Sequence, residues 1–305
     1  MDVHVVIATK GRATSLVHLL DALGKQTLTP TTITFVGSCA DDVSTVSEQT
    51  APDKCQTRVL VAPAGLCIQR NHGLEHVRRW ARSQARTKFV VVFFDDDFRP
   101  AADWLENATN AFQTAPDLAA ITGWVLADGV YGTPITEVES SEFLSGTRAP
   151  AKHWASGETP RELGSMYGCN MAFRDRVVMQ SNFDENLPLY GWQEDRDYTA
   201  RARKFGRTAY EPLCRGVHLG SRSGRTSGVR LGYSQVANPV YLWRKGTMSA
   251  SIGARFVTRN LLANCVRSVR NNRSIDYVGR LRGNLMAFAD LARGSCHPTR
   301  VVGLS

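Results

Sequence analysis

The stretch FVVVFFDDDFRP, residues 89 to 100, places a wholly apolar run directly before three adjacent aspartates. Phe89 to Phe94 are apolar at every position, which is typical of a parallel strand covered on both faces. The core around such a strand could not solvate three carboxylates, so we expect Asp95 to Asp97 to lie where the strand ends. A divalent cation would relieve the repulsion among them. The alternatives are a solvated acidic turn, or Asp97 capping a helix that starts near Pro100.

Strand and helix patterns alternate along the first third of the chain. Short runs rich in β-branched residues predict strands at His4–Ala8, Thr32–Val36 and Thr57–Val61. Apolar residues at helical spacing predict helices after the first and third of these strands, around Leu16–Leu23 and Gly65–Trp80. This order predicts an α/β fold with a doubly wound, mostly parallel sheet. Ligands of such sheets bind beyond the carboxyl ends of the strands, where the aspartates are expected.

Charge divides the chain unevenly. Residues 201 to 305 hold 19 Lys and Arg against 3 Asp and Glu, whereas residues 1 to 200 hold 18 against 25. A basic region of this kind favours phosphate-bearing ligands, an anionic membrane surface or nucleic acid as partners. Nucleic acid is disfavoured because no recognisable nucleic-acid-binding module accompanies the charge. A solvated basic face without a partner is the alternative.

Two amphipathic helices are predicted within this basic region. In the first, apolar residues recur every four positions among arginines; these apolar residues are Val257, Leu261, Leu262, Cys265, Val266 and Val269. A second such stretch runs from Tyr277 to Phe288. A helix of this composition could lie on an anionic bilayer. The same stripes also suit packing against the protein's own core, and both interpretations stay open.

No window approaches the roughly 18 uninterrupted apolar residues of a membrane span, and the N-terminus lacks the pattern of a secretory signal. Seven dispersed cysteines form no C-x-x-C pair, which favours a reducing compartment. We therefore expect a cytoplasmic protein, with a peripheral position on the inner face of the membrane as a further option. The polar segment from roughly Asp128 to Gly164 is predicted to be loop or weakly structured chain. Residues 221 to 228, with Arg222 and Arg225, form a basic loop that could close over a phosphate.

Five segments together resemble the family 2 glycosyltransferases, which are inverting enzymes with the A-type glycosyltransferase fold. The segments are VVIATKGR (5–12), GLCIQRNHG (65–73), FFDDDFRP (93–100), YGCNMAFR (167–174) and GWQEDRDYTARARKFG (191–206). The resemblance covers roughly residues 3 to 220. The chain departs from the family after the second strand, where Gly37 and Ser38 replace the usual acidic residue and Asp41 and Asp42 follow. The Q-x-x-R-W signature of processive synthases is absent, which favours a single-addition enzyme.

The resemblance implies a role for each candidate residue. The metal, Mg²⁺ or Mn²⁺, would be held by Asp95, Asp97 and His218. The donor would be contacted by Thr9, Arg12, Arg70, Asn71, Asp95, Asp96, Arg222 and Arg225. The acceptor would be contacted by Asn170, Trp192 and Glu194, and Asp195 would be the general base. Purely structural interpretations stand beside these: His218 as a satisfied core histidine, Trp192 as core, the acidic pair as helix N-terminal charges and the two loop arginines as surface charge.

The expected enzyme moves one sugar from a UDP-, GDP- or dTDP-sugar to a hydroxyl of a glycan or lipid-linked acceptor. Residues 1–220 would form the catalytic domain, and residues 221–305 a basic, helical extension. One alternative is a nucleotidyltransferase that makes sugar nucleotides, although ATKGRATS (8–15) is poor in the glycine that its phosphate loop needs. A non-catalytic carbohydrate- or membrane-binding module is the other.

Overall fold

The computed structural model describes residues 1–47, 55–130, 132–221, 227–269 and 275–305. Its strands are β1 (Asp2–Thr9), β2 (Thr32–Gly37), β3 (Gln56–Val61), β4 (Phe89–Asp95), β5 (Phe98–Pro100), β6 (Leu118–Asp128), β7 (Arg161–Glu162), β8 (Asn170–Arg174) and β9 (Arg207–His218). Its helices are α1 (Ala13–Gly24), α2 (Leu66–Ser83), α3 (Trp104–Thr114), α4 (Glu137–Ser145), α5 (Asp175–Val178), α6 (Glu194–Ala202), α7 (Gly228–Lys245), α8 (Ala250–Ser268) and α9 (Tyr277–Ala292). Each strand and helix predicted in the first third of the chain is present.

The strands form one sheet in the order β3-β2-β1-β4-β8-β6-β9-β5, with β7 paired to β9. The pairs β1–β2, β2–β3, β1–β4 and β6–β9 are parallel. Strand β8 is antiparallel to both β4 and β6. The fold is therefore mixed α/β with a largely parallel central sheet, as the sequence predicted.

The apolar run of β4 lies at the centre of the sheet, between β1 and β8. All six residues from Phe89 to Phe94 are buried, as expected for a strand covered on both faces. The predicted apolar stripe of α1 packs into the same core through Leu16, Leu19 and Leu23. Burial of these strands and helices fixes the position of the polar residues that follow them in the sequence.

Four strands bring their carboxyl ends to one edge of the sheet. Because β8 runs antiparallel to both of its neighbours, β6 and β9 point in the same direction as β1 and β4. Their last residues are Thr9, Asp95, Asp128 and His218. This edge is where doubly wound sheets bind their ligands.

The segment predicted as loop, Asp128 to Gly164, contains helix α4 and the short strand β7, so that prediction was wrong in part. The helix begins with a capping box, in which Thr136 Oγ accepts from the Glu139 N–H at 3.2 Å and the Glu139 carboxylate accepts from the Thr136 N–H at 2.9 Å. Gly146, at φ 80°, ends it in the left-handed conformation. The T-x-x-E signal was present, but the weak amphipathic pattern of the helix hid it.

The chain divides into two compact units. The first comprises Met1–Ala64, Ile68–Asn182 and Arg201–Gly224, and the second comprises Gly65–Cys67, Phe183–Ala200 and Arg225–Ser305. The expectation of a catalytic domain ending at residue 220 stays a prediction.

The second unit is helical. Both predicted amphipathic helices are present as α8 and α9, and α7 precedes them. Helices α7 and α9 approach so closely that a Cβ added at Gly232 would lie 2.0 Å from the Arg280 carbonyl oxygen. Among the described residues, no helix combines the length and the apolar character needed to cross a bilayer.

Candidate active site

The three residues predicted to bind a metal meet at the edge formed by the strand ends. Asp95 is the last residue of β4, Asp97 lies in the turn after it, and His218 ends β9. One ligand atom from each of the three lies within 4.8 Å of the other two. His218 Nε2 is 3.3 Å from Asp97 Oδ1 and 4.0 Å from Asp95 Oδ2. Two carboxylates and one imidazole nitrogen are a donor set that suits Mg²⁺ or Mn²⁺.

The aspartates are not a solvated turn and Asp97 does not cap a helix, so both alternatives are excluded. Asp96 is 0% exposed and Asp97 is 2% exposed. The residues after Asp97 form strand β5, and α3 begins only at Trp104. The Asp97 carbonyl accepts from the Leu219 N–H, and its Oδ2 accepts from the Ser221 N–H at 2.7 Å. Asp97 thus ties the acidic turn to the segment after β9.

Asp97 and His218 hold each other in their charged forms. Burial alone would raise the pKa of Asp97, but His218, Arg12 and the Ser221 N–H together lower it below its usual value. Burial likewise opposes the charged imidazole, yet Asp97 and Asp128 raise the pKa of His218 well above its usual value. The site therefore holds opposite charges side by side although Asp97 and His218 are buried.

Asp96 differs from its two neighbours in its contacts. Its Oδ2 accepts from Thr9 Oγ1 at 2.7 Å, and its Oδ1 lies 3.1 Å from an Arg12 guanidinium nitrogen. Burial raises its pKa to about 7, against the opposing effect of Arg12. Asp96 thus anchors the acidic turn to the end of β1.

Two of the predicted donor-binding arginines flank the acidic cluster, which we define as Asp95, Asp96, Asp97 and Asp128. Arg12 Nη1 lies 3.0 Å from Asp97 Oδ2 as well as 3.1 Å from Asp96. Arg70 is 2% exposed, and its Nη2 donates to Asp95 Oδ1 at 3.0 Å and to the Gly168 carbonyl at 2.8 Å. Asn71 follows it on α2 and is half-buried. The chain's own cations therefore offset part of the negative charge.

Asp128, at the end of β6, was missed from the sequence. It accepts from His218 Nδ1 at 3.1 Å and from the Tyr167 hydroxyl at 2.6 Å, and His153 Nε2 lies 3.3 Å away. These contacts outweigh burial and lower its pKa below the usual value. The signal was present, because LAAITGWVLAD (118–128) is an apolar strand ending in an aspartate, as in β4.

The turn after β2 departs from the family pattern, and the structure places Asp42 there. Its Oδ1 accepts from the Gly11 N–H at 2.6 Å, and its Oδ2 accepts from the N–H and hydroxyl of Ser38 at 2.8 and 2.6 Å. Asp42 is 5% exposed. Its carboxylate therefore joins the turns that follow β1 and β2.

The predicted acceptor-side residues fall in both units. In the first, Asn170 is 0% exposed and its Oδ1 accepts from Thr122 Oγ1 at 2.8 Å. In the second, the ring of Trp192 packs edge-on against Phe256 at 6.1 Å, and Glu194 is 5% exposed. These contacts are structural, and acceptor binding by the three residues stays a prediction.

Asp195 is the second residue of α6, as predicted for the acidic pair. Its Oδ1 accepts from the Arg196 N–H at 2.7 Å. The backbone before the helix is unusual, because Leu189 and Gln193 have φ of 59° and 74° without being glycine. Strained backbone of this kind is concentrated at functional sites. Arg222 and Arg225, the predicted phosphate contacts, lie outside the described residues.

Comparison with known proteins identifies related chains. Residues 4–178 match the family described as Glycosyl transferase family 2. A glucosyl-dolichyl phosphate glucuronosyltransferase of Haloferax volcanii is 28% identical over 126 residues, which are 41% of this chain and 39% of that protein. The match thus spans about two fifths of the relative's length.

Solved structures show the same fold. The mannosyltransferase PcManGT from Pyrobaculum calidifontis, in complex with GDP-Man and Mn²⁺, has a TM-score of 0.55 and 17% identity over 98% of this chain and 77% of its own. TarS from S. aureus has a TM-score of 0.54 and 15% identity over 80% of this chain and 40% of its own. At these identities the likeness establishes the fold, which is the A-type glycosyltransferase fold.

Proposed function

We propose that this chain, which belongs to glycosyl transferase family 2 and is therefore a glycosyltransferase, transfers one sugar from a nucleotide diphosphate sugar to a hydroxyl. The transfer inverts the configuration at the anomeric carbon. One observation carries the proposal: Asp95, Asp97 and His218 converge within 4.8 Å at the carboxyl edge of the sheet. Solved structures of the same fold have UDP, UDP-GlcNAc or GDP-Man bound. These ligands support a nucleotide-sugar donor, and we include UDP-, GDP- and dTDP-sugars as candidates.

The three residues fit a divalent metal. Asp95 keeps 26% of its side chain exposed, whereas Asp97 and His218 are nearly enclosed, so a cation would reach them from the Asp95 side. Carboxylate oxygens suit Mg²⁺, and a carboxylate set completed by an imidazole also suits Mn²⁺. When bound, the metal supplies a positive charge against the negative charge that grows on the leaving diphosphate.

The remaining residues of this edge orient groups and balance charge. Arg12 bridges Asp96 and Asp97, and Arg70 holds Asp95 by an ion pair within the fold. Thr9 fixes Asp96 in turn. We assign donor contacts to Thr9, Arg12, Arg70, Asn71, Asp95 and Asp96, and to Arg222 and Arg225 outside the described residues.

We assign the general base to Asp195. The acceptor hydroxyl transfers its proton to the Asp195 carboxylate while its oxygen bonds to the anomeric carbon. The bond from that carbon to the diphosphate oxygen breaks on the opposite face, and the diphosphate leaves with the electron pair. A single displacement of this kind inverts the anomeric configuration and leaves no sugar attached to the enzyme. Glu194, Trp192 and Asn170 are assigned to the acceptor.

A lipid-linked acceptor is supported by the Haloferax relative, whose name specifies a dolichyl phosphate substrate. Helix α8 supports a membrane surface as a second partner. Its outward stripe combines aliphatic residues with arginine at spacings of three and four, namely Ile252, Arg255, Arg259, Leu262, Val266 and Val269. Leu262, Val266 and Val269 are 60%, 55% and 85% exposed.

The charge around this stripe favours an anionic bilayer over a second copy of the chain. Helix α8 contains no acidic residue, and the one in α9, Asp290, is 2% exposed. Two such stripes packed together would bring arginines close to one another, whereas anionic headgroups would neutralise them. We therefore propose a cytoplasmic enzyme that docks on the inner face of the membrane through α8.

Metal-dependent donor binding tests the core of the proposal. We expect UDP, GDP or dTDP to raise the melting temperature in the presence of Mn²⁺ or Mg²⁺ and much less in its absence, because a ligand of the native state stabilises it. If none of these nucleotides shifts the melting temperature with either metal, the proposed donor site is wrong.

A paired substitution then tests the base. Asp195→Asn should abolish transfer and preserve the nucleotide-dependent shift, whereas Glu185→Gln, an exposed carboxylate of the same unit, should preserve both. Unchanged turnover of Asp195→Asn would remove Asp195 from the mechanism and leave the donor site standing. Proton NMR of the product's anomeric centre tests inversion.

A further inference from the structure

We propose that Asp128 is a positioning residue that fixes the ring of His218 for metal binding. The proposal rests on the proposed function, in which His218 is one of three metal ligands. Asp128 and His218 are register partners at the ends of the parallel strands β6 and β9. Their side chains therefore meet because of the sheet register, although 90 residues separate them in the sequence.

The two oxygens of Asp128 have different partners. Oδ1 is 3.1 Å from His218 Nδ1 and accepts from the Val130 N–H at 2.9 Å. Oδ2 accepts from the Tyr167 hydroxyl at 2.6 Å and lies 3.3 Å from His153 Nε2. Only 5% of the side chain is exposed. A carboxylate held at both oxygens in this way has one orientation.

The contact with Asp128 determines which nitrogen of His218 can bind a cation. A carboxylate only accepts hydrogen bonds, so Nδ1 must carry the proton that it donates to Oδ1. A cation that binds His218 replaces the proton of Nε2, because Nδ1 keeps its own proton, and the lone pair is then on Nε2, which lies 3.3 Å from Asp97 Oδ1 and 4.0 Å from Asp95 Oδ2. Carboxylates that accept from the second nitrogen of a metal-binding histidine fix its tautomer and orientation in the same way.

Aromatic packing positions Tyr167 and His153, the two side chains near Asp128 Oδ2. The Tyr167 ring is perpendicular to that of His218, with centroids 5.8 Å apart, and stacks on His153 at 5.2 Å. The Ala155 N–H donates to His153 Nδ1 at 3.1 Å, which leaves the His153 proton on Nε2, facing Asp128. Asp128 therefore lies between the His218 ring and the Tyr167 hydroxyl, and it cannot turn away from His218 without breaking its hydrogen bonds with Tyr167 and Val130.

Direct measurement of Mn²⁺ affinity, by electron paramagnetic resonance or calorimetry without donor or acceptor, tests the proposal. Asp128→Asn keeps the size of the side chain but removes its charge, and we expect it to weaken Mn²⁺ binding by about 10- to 100-fold. Tyr167→Phe removes one donor to the far oxygen and leaves Oδ1 on His218, so its loss should be smaller. Thermal melting without metal establishes that each variant is folded.

A double-mutant cycle separates positioning from general damage. If Asp128 acts through His218, Asp128→Asn should change Mn²⁺ affinity by less than about twofold in a His218→Ala background. Wild-type affinity in the single Asp128→Asn variant, or an equal loss in both backgrounds, would overturn the proposal.

The same assay distinguishes failure of this inference from failure of the proposed function. Wild-type Mn²⁺ affinity in Asp97→Ala would refute the metal site itself. Loss of affinity in Asp97→Ala together with none in folded Asp128→Asn would refute only the role of Asp128.

Discussion

Each unit of the molecule buries a polar cluster, and the two clusters differ in charge. The first unit buries the acidic cluster, whose carboxylates have Arg12, Arg70 and His218 as cationic neighbours. The second unit buries three neutral amides, Gln235, Asn264 and Asn284, which we call the amide cluster. The amide cluster is enclosed by protein, whereas 26% of the Asp95 side chain in the acidic cluster is exposed, so the two clusters differ in access as well as in charge.

The side chains of the amide cluster form hydrogen bonds with one another and with a backbone carbonyl. Asn264 Nδ2 donates to Gln235 Oε1 and to Asn284 Oδ1, each at 2.8 Å, and Asn284 Nδ2 donates to the Gly232 carbonyl at 2.7 Å. These bonds join α7, α8 and α9. In the acidic cluster, by contrast, Asp95 and Asp97 meet His218 with one ligand atom of each within 4.8 Å of the others, a geometry that a cation would stabilise. The comparison teaches that the buried neutral groups here join helices to one another, whereas the charged groups at the strand ends form the site that we propose for chemistry.

The largest effect should follow from removing a charge of the acidic cluster. We expect Asp97→Ala to lower the rate of transfer by about 1,000-fold or more, or ~4 kcal/mol in the barrier, since it removes a proposed metal ligand. Release of nucleoside diphosphate in the presence of Mn²⁺ measures this. Asp41→Ala, an exposed aspartate of the same unit, is the matched control and should be neutral. Near-normal turnover in Asp97→Ala would contradict the proposed difference between a catalytic acidic cluster and a structural amide cluster.

A change in the amide cluster should reduce stability and leave chemistry intact. Asn284→Ala removes the Asn284 acceptor of Asn264 Nδ2 and the side-chain donor to the Gly232 carbonyl, which we expect to cost about 2–4 kcal/mol. Hydrogen exchange measured by mass spectrometry should accelerate in α7 and α9 and stay unchanged in β4. Ala at Asn110, an exposed amide on α3, is the control. Loss of turnover per folded molecule in Asn284→Ala would contradict a purely architectural role.

The outer surface of the second unit offers an intermediate effect. We expect Arg255→Glu with Arg259→Glu to weaken binding to vesicles of phosphatidylcholine and phosphatidylglycerol by about 30-fold or more, because each arginine near an anionic surface contributes roughly 1 kcal/mol. Co-sedimentation at two salt concentrations measures this. The same reversal at Arg82 and Arg86, exposed on the first unit, should have little effect. Salt-independent binding, or a dimer in light scattering that the α8 reversal dissociates, would contradict the membrane assignment.

The smallest effect concerns a third kind of buried polar group, an ionisable one kept neutral. Burial lowers the pKa of His4 to about 3, and its ring contacts Trp80 and Phe89. Between this value and the unfolded value near 6.5 the unfolded chain binds a proton that the native chain does not, so stability falls as pH falls. From pH 7 to 5.5 we expect a loss of about 1 kcal/mol.

Urea unfolding at the two pH values measures that loss. His4→Phe should reduce the dependence on pH of the free energy of unfolding of β1. The stability of α9, which holds the amide cluster, should respond to pH in the same way in both proteins. An unchanged slope in His4→Phe would assign the pH dependence to other groups.

The structure brings Asp95, Asp97 and His218 together as the sequence predicted, because strand patterns and strand ends follow directly from apolar periodicity. Asp95 and Asp97 end a run that is apolar on every residue, and the family resemblance added His218. Asp128 ends a similar run, but it stands alone rather than in a cluster, and register pairing with β9 cannot be read from one strand. Helix α4 was missed because its capping box precedes a segment with few apolar residues.

The amide cluster could not be predicted for a related reason. Gln235, Asn264 and Asn284 lie on three helices, and each by itself is an ordinary polar residue on an amphipathic pattern. Only the close approach of α7 and α9 at Gly232 brings them together. Tertiary proximity, rather than local propensity, decides whether such residues face water or one another.

The origin of the triad in distant strands has a consequence for synthesis of the protein. Asp95 and Asp97 emerge from the ribosome long before His218, whose strand β9 completes the parallel edge. A nascent chain that ends just before β9 has the two carboxylates and Asp128 but lacks the imidazole of His218. The proposed metal site is therefore complete only after β9 has joined the sheet, and a cation bound there would stabilise the finished first unit over every shorter chain.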